Sequence, residues 1–312
     1  MSDITTAFKK QYDGAFRLAF QQTESALRSI VRNETQSAEF KFWDWIEPTT
    51  AVRGRARKSK TPDIETSYLR RGCKTDPLTW AETTGDPDKL RMMGDPTSDL
   101  LRNGAASIRR AEDALILEAI WGTALTGKDG GTSVTAATEC YKMLGDGTFA
   151  NPGTAVSDTT ETGLTLAKIA ALGRTLDENK VPSVNRWIVA NTHQKWYLLG
   201  STKVTSIDYS AVKALVDGNI GEYLGFKFKW LPSDSFVTDT TDTGCLRCAC
   251  FQTDSVLYSV SRDLTTHVDK LPEQNYDTQA FAELFSGAVR LQPNGVIPLL
   301  LDADVAINMT QS

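Results

Sequence analysis

Three stretches of this sequence carry residue types that could do chemistry. Gly122-Thr123-Ala124-Leu125-Thr126-Gly127-Lys128 has the spacing of a phosphate-binding loop, in which backbone amides cradle phosphates and the lysine reaches them. The next residue is Asp129, where such a loop needs a serine or threonine hydroxyl for magnesium, and a carboxylate there repels phosphate. The stretch also follows a predicted helix, whereas the loop joins a strand to a helix. Nucleotide binding is not expected.

Cys245, Cys248 and Cys250 are spaced like metal thiolates, but a closed zinc site takes four ligands. There are only two histidines, His193 and His267, and no second close pair of cysteines. On a strand Cys248 and Cys250 share one face and Cys245 points to the other, so the three are expected to pack as small buried apolar groups. Either histidine has the chemistry of a general base. Neither adjoins a nucleophile pattern such as Gly-x-Ser-x-Gly. The sequence nominates no catalytic residue, no cofactor and no metal site.

The third stretch is cationic. Arg53, Arg55, Arg57, Lys58 and Lys60 place five positive charges in eight residues, with no acid among them. Such a run can bind nucleic acid, but no aromatic is interleaved for base stacking. A salt-bridging contact with an acidic protein surface fits better. This chain could itself supply that surface: residues 1–60 hold 11 Lys+Arg against 7 Asp+Glu, which leaves 23 against 32 for the rest. The net charge of −5 is therefore +4 at one end and −9 over the remainder.

The elements that position these groups are unusual in their order. Ile4, Phe8, Tyr12, Ala15, Phe16 and Ala19 recur every three or four positions and predict a helix within 4–32 with an aromatic stripe. Phe40–Ile46 reads as a strand, and 67–73 with 78–81 as its return, so that 40–82 form a long hairpin with the basic run at its tip. Asp95-Pro96 opens a helix that Trp121-Gly122 closes, roughly 26 residues and about 39 Å long. The first ninety-odd residues thus contain no core of their own and are expected to be buried against something else, most economically other copies of the chain.

After the long helix, 122–163 read as loops and short hairpins. A second amphipathic helix spans 164–180, capped by Thr165 and stopped by Val181-Pro182. A strand at 187–190, a helix at 192–199 and a short helix or loop end at 210–216 follow. Further strands are expected at 225–231, 246–251, 256–260, 265–268, 288–291 and 296–301. Mixed helix and strand without regular alternation predicts an α+β fold. Apolar residues make up 40% of the chain, which is ordinary core-forming material. No apolar run approaches the ~20 residues that span a bilayer, and the N-terminus shows no basic-then-apolar leader. The odd cysteine count argues for a reducing site of synthesis.

Two short motifs connect this order of elements to a known family. Asn219-Ile220-Gly221-Glu222-Tyr223-Leu224-Gly225-Phe226-Lys227-Phe228 is similar to a turn into a strand, and Ser286-Gly287-Ala288-Val289-Arg290-Leu291-Gln292-Pro293-Asn294-Gly295-Val296 to a late strand pair. Both resemble the major capsid protein of tailed bacteriophages, the Hong Kong 97-type fold. The resemblance implies an N-terminal arm (1–35), an extended β-hairpin loop (36–94), a long spine helix with part of a peripheral domain and an insertion (95–163), an axial domain (164–260) and a return to the peripheral domain (261–312). It implies a virion shell protein without catalytic residues, assembled in the host bacterial cytoplasm into hexamers and pentamers of itself around double-stranded DNA. Scaffolding, portal and decoration proteins are the other partners it implies, with no membrane. Phe8, Tyr12, Phe16, Arg53, Arg55, Arg57, Lys58 and Lys60 are then the candidate intersubunit contacts. A nanocompartment shell of the encapsulin type shares the fold and is the nearest alternative. A nucleic-acid-binding protein using 53–60 is the alternative from another class.

Overall fold

A computed structural model describes residues 20–54, 57, 60–61, 63–85, 97–154, 162–200, 222–240 and 244–304. The aromatic stripe through Phe8, Tyr12 and Phe16, the helix start at Asp95-Pro96, the expected element at 210–216, and Arg55 and Lys58 lie outside these residues. The helix expected over 4–32 is not found in its described part: 20–31 are bends and turns, and a strand begins at Arg32.

The chain begins with β1 (Arg32–Thr35), β2 (Phe40–Ile46), β3 (Tyr68–Lys74) and β4 (Asp76–Thr84), then the long helix α1 (Thr97–Trp121). Two hairpins follow, β5 (Thr123–Thr126) with β6 (Thr132–Thr135), and, after the helical turn α2 (Ala136–Glu139), β7 (Lys142–Met143) with β8 (Phe149–Ala150). Then come α3 (Leu166–Glu178), β9 (Arg186–Asn191), α4 (Thr192–Gly200), β10 (Glu222–Tyr223), β11 (Phe226–Leu231) and β12 (Cys245–Gln252). The chain ends on β13 (Val256–Leu271), β14 (Asp277–Arg290) and β15 (Val296–Asp302). This is the α+β arrangement expected.

The chain divides into two units. The larger takes 25–76, 112–261 and 286–312; the smaller takes 1–24, 77–111 and 262–285. In the larger unit a seven-stranded sheet runs in the order β10-β11-β9-β12-β15-β7-β8. Its central strands β12 and β15 are buried along nearly their whole length and read as continuous apolar sequence, as strands covered on both faces do. β11 nearer the edge alternates, with Phe226 and Phe228 buried and Lys227 and Lys229 partly exposed after each. The β10–β11 turn is Leu224-Gly225, with φ of 51° and 76°. Two left-handed residues make a tight hairpin turn whose twist matches the strands, and the glycine takes its place without strain.

Helix α3 follows from its sequence at both ends. Thr165 Oγ1 accepts from the Lys168 amide at 3.3 Å. At the other end Lys180 is left-handed (φ 58°), and the amides of Lys180 and Val181 return to the carbonyls of Asp177 and Leu176. That pairing closes a helix and releases the chain to Pro182. Ile169, Leu172 and Leu176 form its fully buried stripe.

A second sheet of the larger unit has the order β2-β3-β5-β6. β2 and β3 pair antiparallel from Phe40↔Lys74 to Ile46↔Tyr68, so the expected hairpin exists. Its return limb is shorter than expected: 78–81 belong instead to β4, which lies beside β14 in another sheet. Asp76-Pro77 is the physical reason. Proline has no amide to donate, so it sits at a strand's start and not inside a ladder. In the smaller unit β4 also brings Trp80 onto Gly104 of α1, where an added Cβ would lie 2.2 Å from the indole ring. A glycine costs a helix interior stability, and here the ring explains it. The strands expected at 256–260 and 265–268 are one strand, β13, and β14 begins eleven residues before the expected 288.

Among the most buried residues of α1 are Ala106, Ile108, Glu112, Asp113, Ile116 and Ile120, so two acids lie within its buried stripe. At the helix's end Trp121 donates from Nε1 to the Cys248 carbonyl (2.9 Å), with the Arg247 guanidinium and the Lys142 ammonium 5.3 and 5.5 Å from its ring centre. Arg290, fully buried, donates from Nη1 to the carbonyls of Ala119 (2.8 Å), Ile120 (3.0 Å) and Gly122 (2.7 Å), and from Nη2 to Val134 (3.3 Å). Ala119 and Ile120 are at the negative end of the helix and Gly122 is one residue past it, while Val134 belongs to β6.

Two predictions follow from this packing. Arg290→Met strips four carbonyls of a charged donor and should lower the stability of the unassembled subunit by about 3 kcal/mol in urea unfolding. All five cysteines are buried free thiols, and burial pushes Cys73 and Cys248 up to about 12 and Cys140 up to about 11. A thiol reagent at pH 8 should label none of the five in the folded subunit and all of them in denaturant. Labelling of Cys248 or Cys250 before unfolding would contradict the packing of β12.

Candidate assembly interface

The β2–β3 hairpin is rigid at its root. Arg70 grips Asp44 across the strands with Nε to Oδ1 at 2.6 Å and Nη2 to Oδ2 at 2.8 Å, and its Nη1 reaches the Lys128 carbonyl at 2.9 Å. The guanidinium holds the Asp44 carboxyl below its usual range. On the other face Arg71 is buried, stacks at 5.8 Å on Trp45 and pairs with Glu139. Glu34 of β1 accepts from Trp43 Nε1 (2.7 Å) and Lys41 Nζ (3.1 Å). Burial opposes ionisation of Glu34, but these hydrogen bonds together with the Arg32 guanidinium keep the carboxyl below its ordinary value. Phe40 and Phe42 close the packing at 4.8 Å between ring centres.

Beyond the Glu47 amide's bond to the Ser67 carbonyl the hairpin loses its cover. Every described residue from 48 to 65 is exposed. Ile46 and Tyr68, directly opposite each other, are 62% and 71% exposed, and Val52 and Ile64 are 62% and 40% exposed. Arg53, Arg57 and Lys60 are exposed among them. A cavity of about 540 Å³ lies at the root, between Asp44, Tyr68 and Arg70 of the hairpin and Gly127 and Lys128 of the β5–β6 turn. The sequence placed the cations at this tip. It did not single out Ile46, Val52, Ile64 or Tyr68, whose only signal was to be large apolar residues flanking a stretch without a core.

The other chemical candidates resolve as structure. Residues 123–126 of the phosphate-loop lookalike are β5, and Gly127 to Gly131 turn into β6, so the β5 backbone is committed to sheet pairing. Cys245, Cys248 and Cys250 lie within β12 opposite Asp302, Leu299 and Ile297. His193 on α4 and His267 on β13 are both exposed. Among the described residues no group of three or more His, Cys, Asp or Glu could hold a metal ion, and no helix is long and apolar enough to cross a membrane.

The sequence profile of the family described as phage capsid protein matches residues 4–302. No curated protein matches the chain. Among solved structures, the Cyanophage Pam1 capsid asymmetric unit superposes with a TM-score of 0.71 at 12% identity, covering 97% of this chain and 98% of that one. The capsid of Cyanophage P-SCSP1u gives 0.69 at 15% identity, with 98% and 95% covered. A chain of Mycobacterium phage Che8 gives 0.67 at 15% identity, with 94% and 96% covered. At these identities the structures establish a shared fold, and the profile match over nearly the whole length establishes the kinship: the chain belongs to the phage capsid protein family, as a major capsid protein with the Hong Kong 97-type fold of tailed bacteriophages.

Proposed function

We propose that this protein builds an icosahedral phage head from hexamers and pentamers of itself, and that the tip of the β2–β3 hairpin is one of the contacts that hold neighbouring copies together. The observation that carries the reading is the contrast within one hairpin. Its root is locked by Arg70, Arg71 and Glu34, while its far half leaves Ile46, Val52, Ile64 and Tyr68 bare. Covering a side chain of this size is worth ~1.5–3 kcal/mol, so a second surface is strongly favoured.

On this reading 1–35 contain the arm, 36–94 the extended loop, 95–163 the spine helix with the two hairpins after it, 164–260 the axial domain and 261–312 the return to the peripheral domain. The aromatic stripe Phe8, Tyr12 and Phe16, continued at the same spacing by the exposed Phe20, serves the arm in the same way. Arg53, Arg55, Arg57, Lys58 and Lys60 face the acidic bodies of adjacent copies. The interior holds double-stranded DNA without sequence-specific contact, and the −9 balance outside residues 1–60 keeps the body from gripping phosphates. Scaffolding, portal and decoration proteins are the further partners, and assembly takes place in the bacterial cytoplasm. The protein's role is mechanical, with no catalytic step assigned.

Two experiments test this. Arg53→Glu with Arg57→Glu should cut particle yield at least tenfold in sedimentation or electron microscopy, with the circular dichroism of the free subunit unchanged. Raising salt should weaken the wild-type contact in the same direction. Tyr68→Asp should raise the concentration threshold for assembly, read by light scattering, by about tenfold or more, since roughly 1.4 kcal/mol lost per contact is a factor of ten. A threshold equal to wild type in both variants would remove the hairpin tip from the interface.

A further inference from the structure

Two adjacent acids of α1 lie inside its buried stripe, and both are turned to one short segment of the chain. Asp113 Oδ1 accepts from Ser25 Oγ at 2.6 Å and from the Leu27 amide at 2.9 Å, and its Oδ2 accepts from the Ala26 amide at 3.0 Å. Ser25 Oγ in turn accepts from the Arg28 amide at 3.1 Å. The carboxylate therefore collects the free amides at the start of the turn 25–30, where the partial charge is positive. Glu112 is fully buried and accepts from Arg28 Nη1 at 3.3 Å and, through a short bond, from the Tyr258 hydroxyl. The Arg28 guanidinium also lies 5.7 Å from the Tyr258 ring. Burial, and then the bond to Glu112, push the Tyr258 hydroxyl far above its usual range, so it stays a donor.

The residues after Ser25 are fastened just as firmly. Leu27, Ile30 and Val31 are buried, Asn33 Nδ2 closes the turn on the Arg28 carbonyl at 2.7 Å, and β1 then runs parallel to Leu257–Val260 of β13. The residues before Ser25 are held differently. Gln21 and Gln22 meet Asn103 and Arg110 through amide groups, and Phe20 is fully exposed.

We propose that Glu112 and Asp113 are the anchor of the N-terminal arm: the part that leaves to meet other copies ends at Glu24, and residues 25–35 belong to the body. This rests on the capsid reading of the arm but shortens it from 1–35. Detaching 25–28 would take three donors from the buried Asp113 carboxylate and the arginine counter-charge from the buried Glu112, so the anchor holds while the segment before it exchanges partners.

Hydrogen exchange of the unassembled full-length subunit tests the idea. In wild type the amides of Ala26 and Leu27 should exchange at least a hundredfold more slowly than those of residues 20–24. Asp113→Ala should speed Ala26 and Leu27 by at least tenfold and carry the loss into β1, leaving β9 and β12 unchanged. Ser25→Ala removes the two bonds of one hydroxyl and leaves the Ala26 and Leu27 amides on Asp113, so it should give a smaller acceleration confined to 25–28. Equal exchange across 20–28 in wild type, or unchanged rates at Ala26 and Leu27 in both variants, would overturn the anchor. The assay needs no particles. Failure of the chain to assemble would count against the capsid arm and leave the anchor standing.

Discussion

The guanidinium of Arg290 at the end of α1 is the contact on which the larger unit is organised. A helix of 25 residues has carbonyls at its C-terminus that no helical amide reaches, and their dipoles add. In a buried position those groups need a donor, and water cannot supply it. Arg290 meets three of these carbonyls with one nitrogen and ties in the Val134 carbonyl of β6 with another. A lysine is a point charge on a flexible stem and cannot serve both places at once. The cost is a buried positive charge, visible in the downward pull that burial exerts on Arg290. Cys140 and Glu139 nearby work against that pull, and the Arg71 guanidinium adds to it. One side chain near the C-terminus thereby joins the helix end, the β5–β6 hairpin and the last long strand.

That arrangement was half legible in the sequence. Arg290 stood in a quoted motif, but its partner was hidden, because nothing local in Gly287-Ala288-Val289-Arg290 indicates a helix 170 residues earlier. The neighbouring Gly287 shows the same limit: an added Cβ would meet the Lys74 carbonyl at 2.1 Å, a contact made wholly by tertiary structure. Elements whose cause is local were read well. Thr165 caps α3, Leu224-Gly225 turns β10 into β11, and the apolar runs of β12 and β15 mark buried strands. β13 was read as two fragments because its far half is mostly exposed and carries no period for a pattern to find. β14 was read only at its end because three of its four alternating buried residues, Ala280, Ala282 and Ser286, are too small to mark a strand. The hairpin's return limb was overextended by reading across Asp76-Pro77. Of the candidate contacts, the cations were visible as a charge run. The bare apolar residues beside them were not, since exposure is a property of the fold.

The absence of nominated chemistry in the sequence and the form of the structure have a common physical origin. Two of the stretches that looked reactive are used to build sheets: the false phosphate loop runs into the β5–β6 hairpin, and the clustered cysteines pack within β12. The buried ions serve the same end. Lys168 extends its ammonium to the carbonyls of Gly145 and Thr162, which fixes the segment before α3 to the β7–β8 hairpin. Arg186 donates to the carbonyls of Val181 and Pro182, and to Asp177. In each case a charge is committed to the backbone of a connection that has few partners of its own. Chemistry that in an enzyme would face a cleft is turned inward here to stiffen loops.

Stiffness of this kind decides what a shell subunit can do with its exposed apolar groups. A floppy hairpin carrying Ile46, Val52, Ile64 and Tyr68 would lose much of the gain from covering them to the entropy of ordering the chain on contact. Locked at its root by Arg70 on Asp44 and Arg71 on Glu139, the same hairpin gives up less on binding, and its energy goes into the contact. The acids on α1 fix Ser25 to Arg28 in the same way. On the proposed reading, a subunit built this way keeps its core apart from its neighbours and meets them through the hairpin tip, and that division would let one sequence occupy positions of different curvature in a closed shell without refolding.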